Sequence, residues 1–208
     1  MPLYKTINPK KNTKIYIWDI TESIEELNTL NLTQKSDLRL RDMKSELHQK
    51  GFLSIRHLLK IAGYTDKDLY YNGHGKPHLT DGKNISITHS YTFSGIIIGD
   101  DEVGIDIEKN REKVKLIAHK FVGPENDFLV KKNLVEQLTV LWGAKESLYK
   151  IYPHGGISFK RNIPIDYFKL SDKETTGSIK AEDWDKKYQI YFEELAGFTL
   201  VYAYPFLK

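Results

Sequence analysis

Two short stretches place acids where acids are costly. Residues 103–108 read VGIDIE and residues 142–150 read WGAKESLYK. In an extended strand positions i and i+2 point the same way, so Asp106 and Glu108 share one face while Ile105 and Ile107 point to the other. Carboxylates are disfavoured in strand interiors and expensive to bury unpaired, so two on one face ask for a partner. Like charges held that close repel, and a divalent cation relieves the repulsion; ligation by oxygen alone suits Mg²⁺ or Mn²⁺. On a helix, Trp142, Glu146 and Lys150 fall at i, i+4 and i+8, a stripe carrying an aromatic ring, a carboxylate and an ammonium. That stripe offers a third ligand. Each feature alone has a plainer reading: a sheet-edge pair facing water, and a solvated Glu–Lys pair worth roughly 0.3 kcal/mol. GKPHL at 75–79 and THS at 88–90 add Lys, His and Ser between turn residues, side chains suited to phosphate oxygens.

These residues need elements to hold them. KIYIW at 14–18 alternates over a β-rich set and predicts a strand, and Ser23-x-x-Glu26 offers a capping box for a short helix. Leu40, Met43 and Leu47 recur at helical spacing within 33–50, and 52–61 continues as a second amphipathic helix stopped by Gly63. Residues 35–60 hold seven Lys/Arg against three acids, so one helical face is basic. Gly73, Gly75, Pro77 and Asp81-Gly82 mark a loop and turn, after which ISITH and SGIIIG read as paired strands leading into VGIDIE. Residues 111–150 read as helical in two or three pieces broken at Gly123-Pro124, with Glu146 mid-helix in the last, about 134–151. Runs near 176–180, 188–192 and 198–204 predict a second sheet. No Pro/Ser-rich linker and no repeat separates the parts, so we expect two halves docked in one unit, 1–103 and 104–208.

Composition narrows the chemistry. The 208 residues are 40% hydrophobic and 28% charged, enough apolar surface for a core, and the net charge of +3 is too small to demand nucleic acid. With no cysteine, disulfides, thiolate metal sites and thiol nucleophiles are excluded. The start lacks the apolar run of a signal peptide and no stretch approaches eighteen apolar residues, so we expect a cytoplasmic protein without membrane contact. The seven histidines show no HxH or HExxH spacing, and no G-x-S-x-G, G-x-x-x-x-G-K-[ST] or G-x-G-x-x-G occurs. The thirteen tyrosines follow strand periods and fill sheets rather than stack bases.

Taken together and in order, GKPHL, SITHS, GIDIEK and WGAKESLYK resemble the 4'-phosphopantetheinyl transferases of the long Sfp type, over roughly residues 30–160. The resemblance implies an α+β fold of two similar halves related by pseudo-two-fold symmetry, with coenzyme A in the cleft between them and a monomer able to work alone. It implies that Asp106, Glu108 and Glu146 hold Mg²⁺ against the coenzyme A pyrophosphate. Lys76, His89, Ser90 and Lys150 would contact coenzyme A phosphates, with Arg41 and Lys44 near the 3'-phosphate. The implied reaction moves the phosphopantetheine arm onto a serine of an apo acyl or peptidyl carrier protein and releases 3',5'-ADP, the chemistry of a holo-[acyl-carrier-protein] synthase. Glu146, or Glu125 in KFVGPEN, is the candidate general base, with Lys150 and His89 stabilising charge. His57 stands where the family often carries a small hydroxyl residue, and THS where SHS is commoner. Residues 109–120 carry five Lys/Arg and one Glu, a patch we expect to dock acidic carriers. Two rival functions use the same residues: a Mg²⁺-dependent phosphohydrolase or nuclease, and a degenerate coenzyme A- or carrier-binding module.

Overall fold

The computed structural model describes residues 3–206. The chain is a mixed α+β protein of two compact units, Met1–Asp100 and Asp101–Lys208. The first begins with strands β1 (Leu3–Lys10) and β2 (Thr13–Asp19), then short helix α1 (Ile24–Leu27), α2 (Gln34–Asp42) and α3 (Glu46–Ile61). A two-stranded ribbon follows, β3 (Leu69–Tyr71) with β4 (Pro77–Leu79), then the hairpin β5 (Asn84–Ser90) and β6 (Phe93–Gly99). The four long strands form an antiparallel sheet in the order β1-β2-β6-β5. Its helix-covered face carries Tyr16, Trp18, Ile85, Ile96 and Ile98, packed with Phe52, Leu53, Ile55, Leu58 and Leu59 of α3. The capping box read at Ser23 is present, the Ser23 hydroxyl accepting from Glu26 N and the Glu26 carboxylate from Ser23 N.

The helices of this unit break elsewhere than the sequence predicts. The expected single helix over 33–50 ends at Asp42, and α3 runs unbroken through Gly51. Met43 is extended at the end of α2, and its carbonyl accepts from Gln49 Nε2 at 2.8 Å, so a side chain from the next helix satisfies the exposed end. A buried network then binds α2 to α3. Asp66 accepts from Thr33 N (2.8 Å) and Oγ1 (2.7 Å), from Ser36 Oγ (3.0 Å) and from Arg56 Nε (3.1 Å). The Arg56 guanidinium also lies 3.5 Å from the Phe52 ring centroid.

The second unit opens with β7 (Gly104–Lys109) and α4 (Val114–Phe121), passes through short 3₁₀ turns, and reaches α5 (Leu134–Ile151) and α6 (Phe159–Asn162). Strands β8 (Glu174–Ala181), β9 (Trp184–Leu195) and β10 (Phe198–Pro205) complete an antiparallel sheet in the order β7-β10-β9-β8. Leu138, Leu141, Ala144 and Leu148 of α5 share a core with Ile179, Tyr188, Ile190, Phe192 and Val201 of the sheet. No described helix is long and apolar enough to cross a membrane.

Candidate active site

Strand β7 places Asp106 opposite Val201 and Glu108 opposite Thr199 of β10, with Ile105 and Ile107 buried on the alternate face. Asp106 is only 5% exposed. What brings a helix close enough to reach it is the absence of two side chains. A Cβ on Gly104 would stand 2.0 Å from the carbonyl oxygen of Ser147, so the strand backbone packs directly against the backbone of α5. A Cβ on Gly143 would stand 2.7 Å from Val201 Cγ2 and 3.6 Å from Asp106 Oδ2.

The stretch WGAKESLYK then acts residue by residue. Trp142 Nε1 donates to Glu108 Oε1 at 3.3 Å. Ser147 Oγ donates to the Val201 carbonyl at 3.3 Å. Lys150 Nζ, at 2.8 Å from both, bridges Asp106 Oδ1 and the Ile105 carbonyl. The Glu–Lys stripe is thus no solvated surface pair: its lysine turns onto the strand carboxylate. Burial pushes the Glu146 carboxyl up to about 7; the charge of Asp106 adds to the rise, Lys150 opposes it and Glu108 adds again. Three acids and one ammonium therefore lie within electrostatic reach of one another.

Lys145, to which the sequence reading gave no part, points the other way. It is fully buried, and its ammonium donates to Glu125 Oε1 (2.7 Å), the Ile163 carbonyl (2.7 Å) and the Phe159 carbonyl (3.0 Å). Glu125, only 1% exposed, also accepts from Ile165 N at 3.0 Å and Gly123 N at 2.8 Å. Burial lowers the Lys145 pKa and Glu125 opposes the fall. Both Glu125 oxygens are therefore committed inside the core, and the pair ties α5 to the segments on either side of it. A hint was present in the sequence: position 145 falls among Leu141, Ala144 and Leu148, an apolar stripe where a lone lysine needs a buried acid.

Among the described residues no three His, Asp or Glu side chains converge as a group that could hold a metal ion. In the present side-chain arrangement Asp106 faces Lys150 and Glu108 faces Trp142. The donor set itself suits a hard divalent cation: oxygen ligands only, and mutual repulsion already registered at Glu146.

The other expected residues lie in the first unit. Lys76 ends a turn built on Asn72, whose side-chain oxygen accepts from His74 N and Lys76 N, with Gly75 at φ +79°. His89 and Ser90 close β5, His89 exposed and half of Ser90 covered. Arg41 is exposed on α2 and paired with Asp37 at 2.7 Å, and Lys44 is exposed in the link to α3.

The chain thus brings two strand acids, Asp106 and Glu108, onto a helix bearing Glu-x-x-x-Lys. Residues 102–203, just under half of the chain, match the family model of the 4'-phosphopantetheinyl transferase superfamily. The chain is similar to the 4'-phosphopantetheinyl transferase gsp of Aneurinibacillus migulanus, 28% identical over 153 residues, or 70% of this chain. The match spans 62% of that relative's length.

Proposed function

We propose that the protein transfers the phosphopantetheine arm of coenzyme A to a serine of an apo acyl or peptidyl carrier protein, releasing 3',5'-ADP. The observation that carries this reading is the clamp of Lys150 on Asp106, beside Glu108 and Glu146, within the stretch that matches the superfamily. Asp106, Glu108 and Glu146 would hold Mg²⁺ or Mn²⁺, which when bound neutralises charge on the coenzyme A pyrophosphate. The serine Oγ attacks the phosphorus that carries the pantetheine arm, the bond to 3',5'-ADP breaks, and the serine proton passes to a base. Glu146 is our candidate for that base, because Glu125 spends its oxygens on Lys145, Gly123 and Ile165. Lys150 offsets developing negative charge. In the first unit Lys76, His89 and Ser90 would contact coenzyme A phosphates, with Arg41 and Lys44 serving the 3'-phosphate. A cytoplasmic monomer remains the working expectation.

We further read α4 as the carrier-docking face. Lys113, Lys115 and Lys120 lie within about a turn of Leu116, which is 72% exposed, and Lys115 pairs with Glu112 at 2.7 Å, so the segment offers net positive charge beside an apolar contact. The deciding experiment is intact-mass spectrometry of an apo carrier incubated with the protein, coenzyme A and Mg²⁺, beside an Asp106→Ala control. A gain of one phosphopantetheine mass, lost in the control, supports the reading. Coenzyme A binding without transfer to any carrier tried would replace it with a binding module, and carrier-independent phosphodiester hydrolysis with a hydrolase.

A further inference from the structure

Gly51 sits in the middle of α3, where glycine is among the poorest helix formers and no turn requires it. Its lack of a side chain makes room for His89. The three nearest atoms a Cβ built there would meet are all of His89: Cγ at 3.2 Å, Nδ1 at 3.4 Å and Cβ at 3.5 Å. The base of the His89 imidazole therefore lies against the bare backbone of α3. A hydroxyl chain locks the helix to the hairpin at the same level. Ser94, the cross-strand partner of His89, donates from Oγ to Ser54 Oγ at 2.8 Å, and Ser54 Oγ donates to the Gly51 carbonyl at 2.9 Å. Both serines are fully buried. His48, one turn before Gly51, flanks the same ring with centroids 6.1 Å apart.

We propose that Gly51 is a positioning residue for His89: the Gly51–Ser54 turn, keyed to the hairpin through Ser94, forms a shelf that sets where the imidazole presents its edge to a phosphate of coenzyme A. The inference rests on the reading of His89 as a phosphate contact. An added methyl at 51 forces the ring to give by a few tenths of an ångström, because 3.2 Å is closer than a Cβ normally sits. A charge-assisted hydrogen bond is sensitive to such a shift.

The test is a cycle of Gly51→Ala, His89→Ala and the double variant, each measured for coenzyme A affinity by calorimetry with Mg²⁺ and for thermal stability. Two-dimensional NMR of the histidine rings is added on ligand-free protein. We expect Gly51→Ala to hold or raise Tm, since alanine favours the helix, while weakening coenzyme A binding about fivefold and shifting the ring resonances of His89. In the His89→Ala background the Gly51→Ala change should alter affinity no further, because its effect runs through the ring. If Gly51→Ala lowers Tm, the loss must vanish in the double variant; a loss that persists means the glycine serves something else and overturns the proposal. It is equally overturned if His89→Ala weakens binding while Gly51→Ala does not, if the two effects add, or if the His89 resonances stay in place. Unchanged binding in His89→Ala, or no binding by the wild type, instead sinks the assignment of His89 as a ligand and takes this inference with it.

Discussion

Replacing Glu125 by Gln separates a structural acid from a catalytic one. In the folded protein the Lys145 ammonium has all three protons placed, on Glu125 Oε1 (2.7 Å), the Ile163 carbonyl (2.7 Å) and the Phe159 carbonyl (3.0 Å), at zero exposure. An amide at 125 keeps the shape, and its oxygen can still accept from Lys145 and from Ile165 N. Its NH₂ group, however, then faces Gly123 N–H, donor against donor, where Oε2 now accepts at 2.8 Å. The buried ammonium also loses its only counter-charge within this cage. Leaving one member of a buried pair without the other costs about 3–5 kcal/mol, and a chain of this length loses roughly 2–4 °C of Tm per kcal/mol. We therefore expect Glu125→Gln to lower Tm by about 10 °C. The double variant Glu125→Leu/Lys145→Met, which removes both charges together, should recover most of that loss. The assay is thermal unfolding of both variants, alongside kcat and KM for carrier modification measured well below the transition. Turnover per folded molecule should fall by no more than about twofold, because neither group touches the reacting atoms. A Tm within about 1 °C of wild type, combined with a hundredfold or greater drop in kcat, would refute the reasoning and return Glu125 to the role of general base.

Other perturbations follow from the same contacts. Burial pushes the Asp66 carboxyl up, but the Thr33 amide and hydroxyl, the Ser36 hydroxyl and Arg56 together outweigh it and hold the pKa below the usual carboxylate range. A depressed folded-state pKa contributes stability that is present above the unfolded value, about 3.9, and lost as pH falls through the folded one. Urea unfolding between pH 6 and pH 3 should accordingly show a steeper acid loss for wild type than for Asp66→Asn, which has no such carboxylate to protonate. Gly104→Ala should cost about 3 kcal/mol or prevent folding, since its methyl would meet backbone at 2.0 Å, whereas Gly143→Ala, meeting a valine methyl at 2.7 Å, should cost about 1–2 kcal/mol. Equal Tm values for the two would mean that α5 is free to move off β7. Mg²⁺ at about a hundred times its Kd should stabilise the protein by about 2.7 kcal/mol, read as a rise in Tm that Asp106→Ala abolishes. Lys113→Glu with Lys115→Glu should raise KM for an acidic carrier at low salt and lose that effect at high salt; an unchanged KM at low salt removes α4 as the docking face.

The parts of this molecule that could be read from sequence are those whose cause is local. Alternation in VGIDIE places Asp106 and Glu108 on one face of β7, and the 3.6-residue period places Trp142, Glu146 and Lys150 along α5. The parts that could not be read depend on residues distant in the chain. Gly51 looked like the gap between two helices, yet α3 runs through it because Phe52, Leu53, Ile55, Leu58 and Leu59 bury their side chains and His89 occupies the space above the glycine. Local propensity lost to tertiary packing there. Strand β1 went unread because it alternates between half-buried and exposed positions at the edge of its sheet, with lysines that blur the apolar signal. Glu125 is a candidate base only through the resemblance of KFVGPEN, and nothing local announces its buried partner, Lys145, 20 residues away in the chain.

The spacing of WGAKESLYK divides two tasks between the faces of one helix. Positions 142, 143, 146, 147 and 150 look toward β7 and β10, where they contribute the Glu108 contact, a close approach, an acid, a carbonyl contact and the ammonium on Asp106. Position 145 looks into the core and anchors the helix against rotation. This separation matters electrostatically. With Lys145 spent on Glu125, the only lysine of the stretch facing the strand is Lys150, so three carboxylates are met by one ammonium and two negative charges remain when all are ionised. One divalent cation cancels that remainder without a further basic residue, and until it binds, a proton on Glu146 relieves part of it, consistent with the carboxyl's rise to about 7. A lysine facing the strand at 145 would have neutralised a further carboxylate and weakened the case for a divalent ion. Its inward turn, secured by the buried glutamate, is thus as much a condition of the proposed metal chemistry as the carboxylates themselves.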